Sequence, residues 1–112
     1  MRVKPNELSG SALDWAVAKC EGWIDDCNGW LYQATLPDVE EGHYKPSSDW
    51  SQGGEIIERE RICADFLLNG QWLAVSRLIE KQGYGPTPLV AAMRCYVASK
   101  LGDEVTIPEE LL

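Results

Sequence analysis

The segment from Thr87 to Gly102 constrains the fold more than any other. Thr87 has N-cap chemistry, and Pro88 stands at the first helical position, where its missing N–H and fixed φ suit a helix start. Leu89, Ala92, Met93, Tyr96, Val97 and Leu101 then form an apolar stripe at helical spacing, and Gly102 supplies the stop. Such a stripe has to be buried against other elements, because isolated helices of this length are marginal in water.

Two further helices are predicted. Ser11 with Asp14 three residues on reads as a capping box. Ala12, Leu13, Ala16, Val17 and Cys20 share one face, and Gly22 can take a left-handed stop. Ser47-Ser48-Asp49 offers N-cap chemistry for a helix over Trp50 to Glu60. Gly53-Gly54 argues against that helix, since each interior Gly costs about 1 kcal/mol relative to Ala. The period argues for it: Trp50, Gly53, Gly54 and Ile57 recur at i, i+3, i+4, i+7. Two missing side chains on one face imply close approach of a packed neighbour or a ligand.

The strand signals are shorter. Ile62–Leu68 and Gln71–Arg77 flank Asn69-Gly70, the strongest short hairpin signal. Gly83-Tyr84-Gly85-Pro86 reads as loop, and Glu104 to Pro108 alternates as a short edge strand. Trp30 to Leu36 has strand-like content after an Asn28-Gly29 turn, with Trp23-Ile24 as a weak antiparallel partner; His43 to Pro46 reads as loop. The sum is an α+β fold: three helices packed with a small antiparallel sheet containing a central hairpin. A chain of 112 residues fits a single domain, 1–112.

Composition narrows the function. Hydrophobic residues at 45% and charged residues at 25% give the ordinary globular balance, which argues against long disorder. No apolar run reaches the roughly 18 residues of a membrane span, and Met1 to Glu7 lacks a signal-peptide core, so a cytoplasmic location is expected. A net charge of −8 opposes the phosphate neutralisation on which duplex binding depends, and no Lys/Arg cluster offsets it. Neither direct nucleic-acid binding nor membrane association is expected. The acidic residues are dispersed, which suits a solvated surface better than a DNA mimic.

Cys20, Cys27, Cys63 and Cys95 contain no Cys-x-x-Cys pair, and His43 is the only histidine. Zinc sites bring their ligands in close pairs, so no metal and no cofactor are expected, and the thiols should be reduced. Nothing resembles a nucleophile elbow, a Walker loop or a dinucleotide fingerprint. Asp14 and Asp49 read as helix-start residues rather than acid–base partners. No catalytic residue is assigned.

Five Trp and four Tyr stand against one Phe. Flat apolar rings with a polar tip suit interfaces and stacking pockets. Trp72 and Tyr96 read as core, whereas Tyr44 and Trp50 bracket a polar loop, Lys45 to Asp49. Helix N-termini near Ser48 to Trp50 and near Thr87 to Leu89 offer N–H groups to an anion, and Arg59, Arg61, Arg77 and Arg94 offer forked donors. The candidate ligand-binding set is Tyr44, Ser47, Trp50, Gly53, Gly54, Thr87 and Arg94. It requires the middle of the chain to meet the last helix.

Three long stretches carry a resemblance. They run from Leu8 to Gly22 (with Asp14-Trp15-Ala16), from Tyr44 to Glu60 (with Ser48-Asp49-Trp50-Ser51-Gln52-Gly53-Gly54), and from Gly85 to Val105 (opening Gly85-Pro86-Thr87-Pro88-Leu89). Together they resemble the NinX-like proteins of lambdoid and related phages, over nearly the whole chain. Glu55 departs from the family, which often has Pro there as a helix-start residue. The resemblance implies a phage or prophage accessory protein of the bacterial cytoplasm and supplies no active site. Two modes of action fit. One is a non-catalytic binder of a small anionic or nucleotide-like ligand that sequesters a host signal. The other is a module that inhibits or redirects a host protein. A homo-oligomer is compatible with both. A concave pocket lined by Tyr44, Trp50 and an Arg would mark the first, and an exposed apolar patch the second. The cysteine spacing makes one direct prediction: protein dialysed after purification should contain no stoichiometric zinc, which elemental analysis checks.

Overall fold

The computed structural model describes residues 2–22, 44–76, 80–107 and 111. In chain order these form β1 (Arg2–Val3), a 3-10 turn (Pro5–Glu7), α1 (Gly10–Cys20), α2 (Trp50–Glu60), β2 (Ile62–Phe66), β3 (Trp72–Ser76), β4 (Lys81–Gly85), α3 (Pro88–Leu101) and β5 (Val105–Thr106). The fold is α+β. Among the described residues three helices accompany a three-stranded antiparallel sheet, β2-β3-β4, and a two-stranded ribbon, β1-β5. The expected strand at Trp30 to Leu36, its partner Trp23-Ile24, and the loop residue His43 lie outside the described residues, as does Arg77.

α3 forms as its ends dictate. The Val90 N–H donates to the Thr87 hydroxyl oxygen at 3.1 Å, Pro88 opens the first turn, and Gly102 follows the last with φ 86°. Burial exceeds the predicted stripe, for Ala91, Cys95 and Ala98 are buried along with Leu89, Ala92, Met93, Tyr96 and Val97. A helix apolar all round is an enclosed one. The three-stranded sheet covers one side of α3, and α1 and α2 pack on the others.

Lys81 to Gly85 is strand β4, where the sequence reads as loop through Gly83-Tyr84-Gly85. Glycine weakens a strand interior, which is why the segment looks like loop. Here Gly83 and Gly85 both face α3. A Cβ on Gly83 would overlap the Ala91 carbonyl oxygen and sit 3.0 Å from Cys95 Cα; one on Gly85 would sit 2.9 Å from the Ala91 nitrogen. The helix backbone rests on the strand backbone, and only glycine leaves room for it.

The hairpin forms between β2 and β3, with Phe66 opposite Trp72. Its loop is three residues, Leu68-Asn69-Gly70, rather than Asn-Gly alone. The Gly70 N–H donates to the Leu67 carbonyl at 3.1 Å, the Leu67 N–H donates to the Gln71 carbonyl at 2.8 Å, and Gly70 takes φ 88°. Leu68 thereby leaves the strand and is fully exposed. The C-terminal edge strand is present as β5, and its partner is the N-terminal pair Arg2-Val3, with Val3 opposite Val105.

α1 starts at Gly10, after Ser9, so Ser11 is not its cap. Asp14 lies inside the helix and is buried. α2 spans Trp50–Glu60 as predicted, well before Glu55, because the Asp49 carboxylate accepts the Ser51 N–H at 2.9 Å. Arg61 then takes φ 57° and turns the chain directly into β2.

The two glycines of α2 have different roles. A Cβ on Gly53 would overlap the Pro46 carbonyl oxygen and lie 2.6 Å from Leu89 Cδ1, whereas one on Gly54 would meet only Trp50 Cε3 at 3.8 Å. Close approach is a property of Gly53 alone. Gly53→Ala should therefore lose about 1–3 kcal/mol by overpacking. Gly54→Ala should gain about 0.4–1 kcal/mol through the unfolded chain. Urea denaturation of the two variants checks the opposite signs.

Candidate functional site

The middle of the chain and the last helix do meet. Gly53 of α2 sits against Leu89 in the first turn of α3, and the Pro46 carbonyl closes the same contact from above. What holds the Lys45 to Asp49 turn there is a buried carboxylate. Asp14 Oδ1 accepts the Ser47 N–H at 2.9 Å, from α1 across to the turn. The turn is also closed from within. The Ser48 and Asp49 N–H groups donate to the Lys45 carbonyl at 3.0 and 2.9 Å, and the Lys45 N–H donates to Gln52 Oε1 at 2.7 Å. Burial raises the pKa of Asp14, while the hydrogen bonds from Ser47 oppose that rise.

A second polar cluster lies two helical turns further along. Arg59 of α2 grips Glu21 with both nitrogens, at 3.1 and 2.7 Å, and its Nε donates to Glu60 at 2.9 Å. The Tyr96 hydroxyl donates to Glu21 Oε2 at 2.5 Å, and Arg59 Nη2 donates to the Tyr96 oxygen at 3.1 Å. The Arg59 guanidinium also lies 5.7 Å from the centre of the Tyr96 ring. Hydrogen bonds to Glu21 and Glu60 raise the Arg59 pKa, and burial raises that of Tyr96. Tyr44 is buried in this region; burial raises its phenol pKa, and the charges of Glu21 and Asp14 add to the rise. Cys20 sits beside them, with its thiol pushed up to about 12 by burial. A thiol this reluctant to ionise is no nucleophile at neutral pH.

Tyr44 and Ser47 are buried, and Ser47 is tied to Asp14. Gly53 is filled by Pro46 and Leu89. Thr87 spends its hydroxyl oxygen on the Val90 N–H. The N-terminus of α2 already holds a carboxylate, that of Asp49, where an anion was expected. Trp50 and Gly54 remain on the surface side, with Trp50 58% exposed. Arg94 does not join the others. It lies five residues past Leu89, about 140° around the helix. Its Nε donates to the Leu8 carbonyl at 2.8 Å and its Nη1 to the Tyr84 carbonyl at 2.6 Å. Its pKa is lowered by burial, and its role is to pin the N-terminal segment and β4 to α3.

Asp14, Glu21, Arg59 and Tyr96 were not in the predicted site. The sequence offers Arg59 as a forked donor for an anion, and the fork is taken by carboxylates of the chain itself. Its main partner is Glu21, which lies 38 positions away and carries no local signal. A groove lies elsewhere, away from these residues. It encloses about 720 Å³ beside the 3-10 turn and β4, and its lining includes Lys4, Glu7, Glu80, Lys81, Asp103 and Glu104. Four carboxylates against two ammonium groups make it a poor seat for an anion.

The family follows from the sequence as a whole. The family model described as "Bacteriophage P22, NinX" matches residues 4–100, and the chain belongs to that family. At that level it is a phage accessory protein. No curated protein sequence matches the chain. Among the described residues no helix is long and apolar enough to cross a membrane.

Asp14 carries a test of the site's construction. Asp14→Ala leaves the Ser47 N–H buried without an acceptor and should cost about 1–3 kcal/mol. Asp14→Asn keeps an acceptor and removes the charge. Because the folded pKa lies above the usual 3.8, the folded state holds this proton more tightly than the unfolded chain. The contribution of Asp14 to stability is therefore greatest at acid pH and falls as pH rises through the folded pKa. The stability of Asp14→Asn relative to the parent should rise from pH 4 to pH 7, as measured by denaturant titration at each pH.

Proposed function

We propose that this phage accessory protein acts in the bacterial cytoplasm through protein contact, as a module that inhibits or redirects a host protein. The observation that carries this reading is the exposed apolar end of the molecule. Phe66 is 60% exposed and Leu68 fully exposed at the hairpin, and Trp50 is 58% exposed at the start of α2. Both groups lie toward the N-terminal end of α3. Trp50 precedes Gly53 by one turn, and Gly53 packs on Leu89. Phe66 lies in the strand row of Trp72 and Gly85, and Gly85 packs on Val90. Phe66 and Trp72 stack edge to face at 5.2 Å, which holds the ring in place. Exposed large apolar side chains at one end of a molecule are the kind of surface that serves protein contact.

The ligand-binding alternative draws less support. Among the described residues, Tyr44, Ser47, Gly53 and Thr87 are engaged in packing or capping, Arg94 is held by Leu8 and Tyr84, and the Arg59 fork near Tyr44 is bound to Glu21 and Glu60. The test uses a photo-crosslinking residue in place of Leu68, with the same residue in place of Glu104 as a control, in infected cells. The Leu68 position should capture one host protein that the Glu104 position does not, and Trp50→Ala should weaken that capture without lowering the melting temperature. A small molecule bound one to one in native mass spectrometry, with no effect of Leu68→Asp on phage-associated activity, would overturn the reading.

A further inference from the structure

The two edges of the three-stranded sheet are treated differently. At β4 the Tyr84 N–H donates to Asn6 Oδ1 at 3.0 Å and its carbonyl accepts from Arg94, so that edge is covered by the N-terminal turn. These bonds also fix the phase of the ladder. Tyr84 points its backbone outward, so Lys81, Gly83 and Gly85 face Ser76, Ala74 and Trp72. Val75 and Leu73 then bond the other way, to Cys63 and Asp65, in step with the Leu67–Gln71 bond that closes the hairpin. The backbone groups of Ile62, Ala64 and Phe66 consequently point out of the sheet along β2. None of them has a hydrogen-bond partner among the described residues. Proteins normally blunt such an edge with charged side chains, Pro or a bulge. β2 reads Ile62-Cys63-Ala64-Asp65-Phe66, with Asp65 its one charge and no Pro, and Ala64 and Phe66 are exposed.

We propose that the chain pairs with a second copy of itself through this edge, β2 against β2, antiparallel about a two-fold axis at Ala64. The strand is self-complementary in that register. Ile62 opposes the second copy's Phe66, and Ala64 opposes its counterpart. Each of these is a hydrogen-bonded pair, so the seam gains about six backbone hydrogen bonds at two per pair. Asp65 opposes Cys63 instead of the other Asp65. A shift by two residues in one direction sets Asp65 against Asp65, and in the other direction it carries Phe66 past the end of the strand. Charge favours the same register. Arg61 and Asp65 are exposed, and neither has an ion-pair partner among the described residues. Across the two-fold axis Arg61 becomes the diagonal neighbour of the second copy's Asp65 on the same sheet face, a distance long side chains span. The closed contact between identical patches makes a six-stranded sheet and removes the open edge from both copies. The seam takes up Phe66, which the host-protein contact also uses; Leu68 and Trp50 lie outside β2, so crosslinking at Leu68 reads the host contact separately.

Sedimentation equilibrium of the full chain at high micromolar concentration should give twice the 12.5 kDa chain mass. Hydrogen exchange should show the Ala64 and Phe66 amides protected in concentrated protein and exchanging freely on dilution. Ala64→Lys places two ammonium groups face to face on the axis and should yield the monomer mass with an unchanged circular dichroism spectrum. Asp65→Cys sets a thiol opposite the second copy's Cys63, in a non-hydrogen-bonded pair close enough for a disulfide. Under mild oxidation, peptide mapping should find a covalent dimer linking positions 63 and 65, which holds even if Ala64→Lys fails to fold. A monomer in the parent, fast exchange at Ala64 in a dimer, or a bridge joining 63 to 63 or 65 to 65 would each overturn the proposal.

Discussion

The backbone-to-backbone contact between α3 and β4 sets the rest of the structure. Gly83 and Gly85 supply no side chains, and Ala91 and Cys95 supply small ones, so helix and strand close to a distance that any larger residue would forbid. That closeness is what lets Arg94, leaving the side of α3, reach the outer edge of β4 at Tyr84 and continue to Leu8. The N-terminal segment is thereby laid along the sheet edge, where Asn6 takes the Tyr84 N–H. The same helix leads through Gly102 into β5, which recruits β1. Both chain ends are fixed by one helix because that helix sits against glycine.

On its other side α3 meets α1 and α2, and there the seam is polar at two levels. Asp14 and Leu89 belong to the level of the Lys45 to Asp49 turn; Glu21 and Tyr96 belong to the level of Arg59. In α1 and in α3 the two levels are seven residues apart, about 10 Å at 1.5 Å per residue. The clamps differ in kind. Asp14 is a buried carboxylate whose ionisation is disfavoured by its surroundings, so it makes a specific bond at an electrostatic cost. Glu21 is neutralised by a bidentate guanidinium and a phenol, the strong form of such a bond. Between them they fix where α2 lies on α3, which the packing of Gly53 on Leu89 alone would leave free to slide.

Local chemistry was legible in the sequence where both partners are neighbours in it. Thr87 with Val90, Asp49 with Ser51, and Gly70 at the hairpin each act within three residues, and each element they bound was predicted. The close approach at Gly53 was legible too, through its shared face with Trp50 and Ile57, although Gly54 belonged to the same pattern for no packing reason. β4 was not legible, because two glycines lower strand propensity and only the helix above explains their presence. Asp14 misled for a similar reason. Three residues after Ser11 it fits a capping box, yet its partner is Ser47, and nothing near it in the chain points there. Arg94 likewise looks like a free donor until Leu8 and Tyr84 are brought to it. Fold class was legible because it depends on periodicity; the surroundings of the candidate site residues were not, because they depend on partners distant in the chain.

The commitments of the polar groups then decide which surface is left to act. Among the described residues every buried side-chain nitrogen and oxygen has a hydrogen-bond partner. What remains unsatisfied is outside. Apolar rings stand at the hairpin and at the head of α2, and a backbone edge stands open at β2. A net charge of −8 keeps most of the surface solvated and mutually repulsive. Against that background Arg61 matters out of proportion to its size. It sits at the corner where the left-handed turn delivers the chain into β2, and places a cation beside a strand whose outward backbone groups have no partner among the described residues. A repulsive surface with one locally relieved, hydrogen-bonding edge is selective by construction: it disfavours random association and leaves one geometry in which backbone, apolar and charged terms agree.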